Sequence, residues 1–152
     1  MSASSNYDPS NYDQSNIFAK ILRGEVPSHK VHEDEHSFAF MDIMPRTPGH
    51  TLVIPKVAAR NILDVPQDAL SHTILTVQRV ARAAKLAFQA DGITLTQFSE
   101  AAGGQVVFHL HFHVLPRYDR VALQAPHTNM EANETLAANA AKLRAALAEL
   151  SA

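Results

Sequence analysis

The sequence predicts an α+β domain in which an antiparallel sheet of about five strands packs against one long helix. The first observation is the run at 107–115, where histidines alternate with apolar residues as in a β-strand. The second is the stretch at 64–91, where apolar residues recur at alternating steps of four and three, as in an amphipathic helix. The third is a series of short apolar segments separated by turn residues, which is typical of sheet strands.

Residues 1–15 are predicted to form a flexible N-terminal tail, because this polar stretch has too little apolar surface to offset the entropy lost on ordering. The tail contains a short repeat, Ser-Asn-Tyr-Asp, at 5–8 and again at 10–13. The alternative is an arm whose tyrosines dock on a partner subunit.

The first predicted helix follows this tail. Asn16 can cap it, Phe18 and Ile21 share one face, and Gly24 is a suitable stop. Short strands are then expected at 31–33, 37–42, 51–54 and 93–98. The first two form a hairpin, and the last is expected to be the antiparallel neighbour of the histidine-rich strand.

Two further helices are predicted. The long helix at 64–91 should bury a stripe made of Leu70, Ile74, Val77, Ala81, Ala84 and Phe88. A C-terminal helix at about 133–150 carries a second stripe made of Leu136, Leu143, Leu147 and Leu150. We expect this helix to cover the core of its own domain, with partner binding as the alternative. The domain itself is placed at 16–120, and residues 121–152 form a C-terminal extension.

Composition limits the classes of function. A chain of 152 residues with 46% apolar residues supports one domain with a core. The net charge of −2 and the absence of a basic cluster argue against nucleic acid as a partner. No apolar run approaches the length of a membrane span. The chain has no cysteine, which excludes disulfides and thiolate metal sites and fits a reducing, cytoplasmic location.

The candidate site is the row of His109, His111 and His113. On a strand these side chains would share one face at successive spacings of about 6.6 Å, while Leu110 and Phe112 enter the core. Imidazole titrates near neutrality and can act as nucleophile, general acid, general base or metal ligand. Three imidazoles at this spacing therefore predict a reactive or ligand-binding site.

The segment His-Leu-His-Phe-His-Val-Leu at 109–115 resembles the signature of the histidine triad (HIT) family. A glycine-containing loop at 101–105 precedes it, Pro-Arg follows it, and a Pro-Gly-His segment lies upstream at 48–50. The resemblance covers about residues 16–118. It implies a HIT-like fold that pairs as a symmetric homodimer through the long helix and the sheet edge carrying the last strands.

The resemblance also implies a reaction. His111 would attack the α-phosphate of a purine nucleotide, form a nucleotidyl-histidine intermediate and release a nucleoside monophosphate after hydrolysis. His109 would hold the tautomer of His111, His113 would contact the phosphate and help protonation, and His50 would complete the cluster. The leaving group would be an amine, as in a phosphoramidate, a phosphate chain or another group. The chemistry of relatives needs no metal or other cofactor.

The nucleoside and phosphate sites follow from the same resemblance. Asp42 would accept both ribose hydroxyls. An apolar slot that grips a purine without discriminating strongly among bases would be formed by Phe18, Ile21, Phe40 and Ile43. The phosphate would lie against the glycine loop at Gly104, Gln105 and Val106, where backbone N–H groups can bind its oxygens.

This chain departs from the family pattern at two phosphate-facing positions. Relatives commonly carry polar residues where this chain has Phe98 and Val106. Side-chain hydrogen bonds are therefore lost there, and Gln105 and nearby backbone N–H groups are expected to compensate. We expect these two changes to affect substrate preference.

Three alternatives stay open at this point. The first is a dinucleoside polyphosphate hydrolase, which has the same flanking motifs. The second is a zinc enzyme, because His-x-His on a strand is also a zinc-ligand arrangement. The third is a non-catalytic nucleotide-binding or adaptor protein, in which Phe98 and Val106 mark a decayed site.

Overall fold

The computed structural model describes residues 11–151 and confirms the α+β class. The five strands are β1 (Lys30–Glu33), β2 (Ser37–Met41), β3 (Thr51–Pro55), β4 (Gly92–Thr96) and β5 (Phe112–Arg117). They form one antiparallel sheet in the order β1-β2-β3-β5-β4. The predicted hairpin and the predicted pairing of β4 with the histidine-bearing strand are both confirmed.

Within residues 11–151, three α-helices accompany the sheet: α1 (Ile17–Leu22), α2 (Gln67–Ala87) and α3 (Asn133–Ser151). Asn16 caps α1 as expected, because its side-chain Oδ1 accepts a hydrogen bond of 2.9 Å from the Ala19 N–H. Within residues 11–151, no helix combines the length and the apolar composition that a membrane crossing requires.

The long helix α2 buries a face that overlaps the predicted stripe: Val77 and Ala84 are in the core, and Leu70, Ala81 and Phe88 pack against it. Its buried side chains are Ala69, Thr73, Thr76, Val77, Val80, Ala83 and Ala84. Ile74, expected in the stripe, is 43% exposed. Small alanine and threonine side chains allow close approach of helix and sheet, and Ser37 Oγ of β2 hydrogen-bonds Thr76 Oγ1 at 2.7 Å. Small side chains therefore fill the closest contact between helix and sheet, and Ile74 lies outside it.

The C-terminal helix α3 covers the core of its own domain, as predicted. It packs against α2, β1 and β2, and its Leu136, Leu143 and Leu147 belong to the main hydrophobic cluster. Leu150, also expected on this stripe, is 51% exposed, because it lies in the last turn beyond the covered surface.

The predicted flexible tail is wrong for the part of it that the structure describes. The side chain of Tyr12 is only 8% exposed and packs against the ring of His109. This one aromatic side chain supplies the buried surface that its polar neighbours lack. The first ten residues, including the first copy of the repeat, lie outside the described residues.

The predicted strand at 107–115 begins late. Residues 107–111 lie outside the regular strand, and β5 starts at Phe112. The chain before it bends because Leu110 N–H bonds the carbonyl of Ala59 at 2.9 Å and the His109 ring bonds the carbonyl of Pro55 at 2.9 Å. The three histidines therefore do not form an even row on one strand, although Leu110 and Phe112 enter the core as expected.

Candidate active site

Two adjoining cavities lie beside β5. The first, of about 300 Å³, contains the histidine rings and is called the histidine cavity here. The second, of about 230 Å³, is walled by α1 and β2 and is called the apolar cavity. Five residues line both cavities and form their junction: Asp42, Met44, His111, His113 and His127.

The nucleophile candidate His111 has a defined tautomer. Its Nδ1 lies 2.7 Å from the backbone carbonyl oxygen of His109, which can only accept a hydrogen bond. Nδ1 therefore carries the proton, and Nε2 keeps its lone pair. Burial lowers the pKa of His111 below the usual value, so the ring is neutral at pH 7. A neutral ring with an unprotonated Nε2 is the form that can attack phosphorus.

The side chain of His109 is wholly buried and lies outside both cavities. Its Nε2–H donates to the carbonyl of Pro55 at 2.9 Å, so its Nδ1 is an acceptor. The hydroxyl of Tyr12 donates to that Nδ1. Burial lowers the pKa of His109 to about 4, which keeps this ring neutral. The ring is therefore an anchor, and the backbone carbonyl of the same residue orients His111.

His50 and His113 form a second hydrogen-bonded pair. Arg46 N–H donates to His50 Nδ1 at 3.1 Å, so a neutral His50 carries its proton on Nε2. That proton points to His113 Nδ1 at 2.8 Å, which leaves the proton of a neutral His113 on its Nε2. Burial, reinforced by positive charge on neighbouring groups, lowers the pKa of both rings to about 3. His113 therefore offers a fixed N–H donor.

Asp42 lies where the two cavities meet. Its Oδ1 accepts from Met44 N–H at 2.8 Å, and its Oδ2 lies 3.5 Å from His50 Nε2. The loop that presents it is closed by a hydrogen bond of 3.0 Å from Asp42 N–H to the carbonyl of His50. Burial raises the pKa of this carboxyl group. The carboxylate can accept hydrogen bonds from a bound ligand without leaving this position.

The four apolar residues expected to form the base slot all line the apolar cavity: Phe18, Ile21, Phe40 and Ile43. The rings of Phe18 and Phe40 meet edge to face with centroids 5.3 Å apart. Phe18 also meets His111 edge to face at 4.9 Å. The apolar wall is therefore continuous with the nucleophile candidate.

The glycine loop contributes Gly104 and Val106 to the histidine cavity, where Val106 is 63% exposed. Gly104 has φ +100°, a conformation that favours glycine, and a Cβ there would lie 3.3 Å from the ring of Phe98. Phe98 packs against His113 with ring centroids 5.7 Å apart. Phe98 therefore supplies an apolar wall to the histidine cavity.

The structure places Gln105 differently from the expectation. Its side chain is buried and lies outside both cavities. Its Oε1 accepts from Glu100 N–H at 2.8 Å, and its Nε2 donates to the carbonyls of Arg60 at 2.7 Å and Val107 at 3.0 Å. The amide holds the loop closed. The Gln105 side chain therefore does not compensate for the lost phosphate contacts.

A metal fits poorly here. Asp42, His50 and His113 each offer one ligand atom within 4.8 Å of the others. However, His50 Nδ1 accepts from a backbone N–H, which puts the ring proton on Nε2, the atom that faces the other two residues. A cation would need that atom deprotonated, with the proton moved to a nitrogen that already faces a donor. The donor set is thus arranged for hydrogen bonding.

Tyr12 and His127 are among the residues at or beside the site that the sequence analysis did not identify. Tyr12 stood in a polar repeat, and nothing near it in sequence indicated that it would reach His109, 97 residues away. His127 follows β5 in an irregular segment without a periodic pattern, and it lines both cavities. In each case only packing between residues far apart in the sequence brings the residue to the site.

Comparisons with known proteins agree with this architecture. The HIT domain family model matches residues 23–120. The crystal structure of a HIT-like protein involved in cell-cycle regulation from Bartonella henselae is 53% identical, with a TM-score of 0.84 over 89% of this chain and 98% of that one. A zinc-bound histidine triad family protein from Mycobacterium smegmatis is 35% identical, with a TM-score of 0.80 over 91% of this chain and 96% of that one.

A curated relative has a named activity. Adenosine 5'-monophosphoramidase HNT1 of Saccharomyces cerevisiae is 37% identical over 111 residues, which are 73% of this chain and 68% of that protein. The match of the family model, the shared fold and the three histidines point the same way, and this chain belongs to the HIT domain family.

Proposed function

We propose that this protein binds a purine nucleotide and cleaves the bond between its α-phosphate and the leaving group through a nucleotidyl-histidine intermediate. The observation that carries the proposal is the hydrogen bond of 2.7 Å from His111 Nδ1 to the carbonyl of His109, because it leaves the Nε2 lone pair of a neutral ring at the cavity junction. The similarity to a yeast adenosine monophosphoramidase supports a phosphoramidate as the substrate class.

The reaction has two steps. In the first, His111 Nε2 attacks the α-phosphorus, an N–P bond forms, and the leaving group departs with the electron pair of its broken bond and takes up a proton from solvent. In the second, water attacks the same phosphorus, the N–P bond breaks, and one proton returns to solvent. His111 recovers its lone pair, and the nucleoside monophosphate is released.

The remaining residues bind and orient the substrate. The apolar cavity binds the purine, and Asp42 accepts hydrogen bonds from the ribose hydroxyls at the junction. The phosphate then lies in the histidine cavity, where His113 Nε2–H and the glycine loop near Gly104 donate to its oxygens. His50 holds the tautomer of His113.

We also propose that the protein is a homodimer. β4 is an edge strand of the sheet, and its Leu95 is 48% exposed. The outer face of α2 exposes Ile74, Leu75 and Leu86. Pairing of two copies through this helix and this edge would cover both surfaces. The cytoplasmic location stays a prediction from the sequence.

The experiment compares turnover of an adenosine phosphoramidate and a diadenosine polyphosphate by wild-type protein, His111→Ala and His72→Ala. Intact mass after quenching without acid reports the covalent adduct. We expect wild type and the exposed-histidine control His72→Ala to form the adduct, and His111→Ala to lose adduct and turnover together. Faster turnover of the polyphosphate would favour the dinucleoside polyphosphate alternative. AMP binding without adduct or turnover in wild type would leave a non-catalytic nucleotide-binding protein.

A further inference from the structure

The segment 121–131, called the strap here, crosses the loop that carries Asp42. Arg46 and Gln124 exchange two hydrogen bonds: Gln124 N–H donates to the carbonyl of Arg46 at 2.9 Å, and Arg46 Nε donates to the carbonyl of Gln124 at 2.8 Å. Glu131 N–H donates to the carbonyl of Ile43 at 2.9 Å. The strap lies beyond the residues that the family model matches, so its contribution belongs to this chain's C-terminal extension.

The strap delivers His127 to the cavity junction. Its side chain lines both cavities, together with Asp42, His111 and His113. Its backbone has φ +57°, a conformation that non-glycine residues seldom adopt, and this turn follows Pro126.

The predicted side chains of the site carry little positive charge. His50, His111 and His113 are neutral rings and Asp42 contributes a carboxylate, so the charge of a phosphate is left to Arg46, which lines the histidine cavity, and to N–H donors around it. An imidazole N–H can donate to a phosphate oxygen in either protonation state. A phosphorus within reach of His111 would lie at this junction, which His127 also lines.

We propose that His127 is a substrate-binding residue that donates a hydrogen bond to the phosphate of the bound nucleotide. This inference rests on the proposed function for the identity of the ligand. Arg46 lines the same cavity and ties the strap down, so the strap and the loop at 43–46 together form the phosphate side of the site. The purine end lies deeper in the apolar cavity, between α1 and β2, whereas His127 lines that cavity at its junction with the histidine cavity.

The test is equilibrium binding of AMP and of adenosine to the full chain by calorimetry. His127→Gly removes the imidazole and suits the positive φ, and His127→Asn keeps a donor in a residue that also tolerates this conformation. We expect His127→Gly to weaken AMP binding by about tenfold and adenosine binding by less than about twofold. His127→Asn should recover part of the AMP affinity, and the exposed-histidine control His72→Ala should match wild type.

Unchanged AMP affinity in His127→Gly would overturn the inference while leaving the proposed function intact. Equal losses for AMP and adenosine would also overturn it, because they would assign His127 to the nucleoside or to the fold of the strap. A wild-type protein that binds neither compound would remove the proposed function and the inference with it. Matching thermal unfolding curves of the variants exclude a general loss of structure.

Discussion

The hydroxyl of Tyr12 donates a hydrogen bond to Nδ1 of His109, while Nε2 of the same ring donates to the carbonyl of Pro55. Both nitrogens of a fully buried imidazole are thereby engaged, one by the N-terminal segment and one by the end of β3. The carbonyl of His109 in turn receives the proton of His111 Nδ1. The N-terminal segment thus anchors the residue that sets the tautomer of the nucleophile candidate.

Tyr12→Phe should destabilise the protein by about 1–2 kcal/mol, because a buried acceptor on His109 loses its donor. It should also slow formation of the covalent adduct, with little change in KM, because the ring that positions the carbonyl is less well held. Urea denaturation and single-turnover kinetics measure the two effects. The matched control is Tyr118→Phe, which removes a hydrogen bond of 2.7 Å to the carbonyl of Phe88. An equal slowing in this control would assign the kinetic effect to stability alone.

The free energy of unfolding should decrease as the pH is lowered below the usual pKa of histidine. The folded-state pKa values of His50 and His113 are about 3 and that of His109 is about 4, all below the unfolded value. Between those values and about pH 6.5 the unfolded chain binds protons that the folded chain does not, so acid favours unfolding. Each such histidine lowers the free energy of unfolding by about 1.4 kcal/mol for every pH unit of acidification in that window.

Urea midpoints measured from pH 8 to pH 5 check this dependence. We expect a nearly flat profile above pH 7 and a steady decline below pH 6.5. A flat profile down to pH 5 would contradict the buried neutral state assigned to these rings.

Gly104→Ala should weaken AMP binding several-fold and destabilise the protein by about 1–2 kcal/mol. The position has φ +100°, and the new Cβ would lie 3.3 Å from the ring of Phe98, which packs on His113. Gly103→Ala is the matched control in the same loop, because no atom lies within 4 Å of a Cβ there. Calorimetry with AMP and thermal unfolding measure both variants. Indistinguishable results for the pair would remove Gly104 from the phosphate side of the site.

Leu95→Lys should convert the proposed homodimer into a monomer. The substitution puts a charge on the edge strand β4, where strand pairing between two copies would bury it. Light scattering coupled to size-exclusion chromatography reports the mass. Leu63→Lys is the control, because Leu63 is exposed but lies outside α2 and β4. Loss of the dimer in both variants, or a monomeric wild type, would contradict the proposed interface.

Local sequence patterns predicted the elements whose side chains alternate or repeat. The periodicity at 64–91 predicted a long helix, and turn residues separated the strands. The buried face of α2 was predicted in part: Val77 and Ala84 are buried as expected. Thr73 and Thr76 are buried and Ile74 is exposed because only close packing on the sheet chooses between these neighbouring positions. Burial preferences alone favour the larger side chain.

Within the candidate site, the structure brings some of the motif residues together and places others elsewhere. His50, His111, His113 and Asp42 line the histidine cavity, and the roles assigned to them stay predictions. Gln105 did not follow, because nearby backbone groups use its amide to close the loop. Those hydrogen bonds depend on a loop shape that no local pattern encodes.

The strap and the Tyr12 segment both lie outside residues 23–120 and approach the histidine cluster from opposite ends of the chain. A change in either segment would therefore act on the cavity junction or on the anchoring of His109 while the three histidines of the triad stay the same. A truncation to residues 23–120 would remove both of these contacts at once.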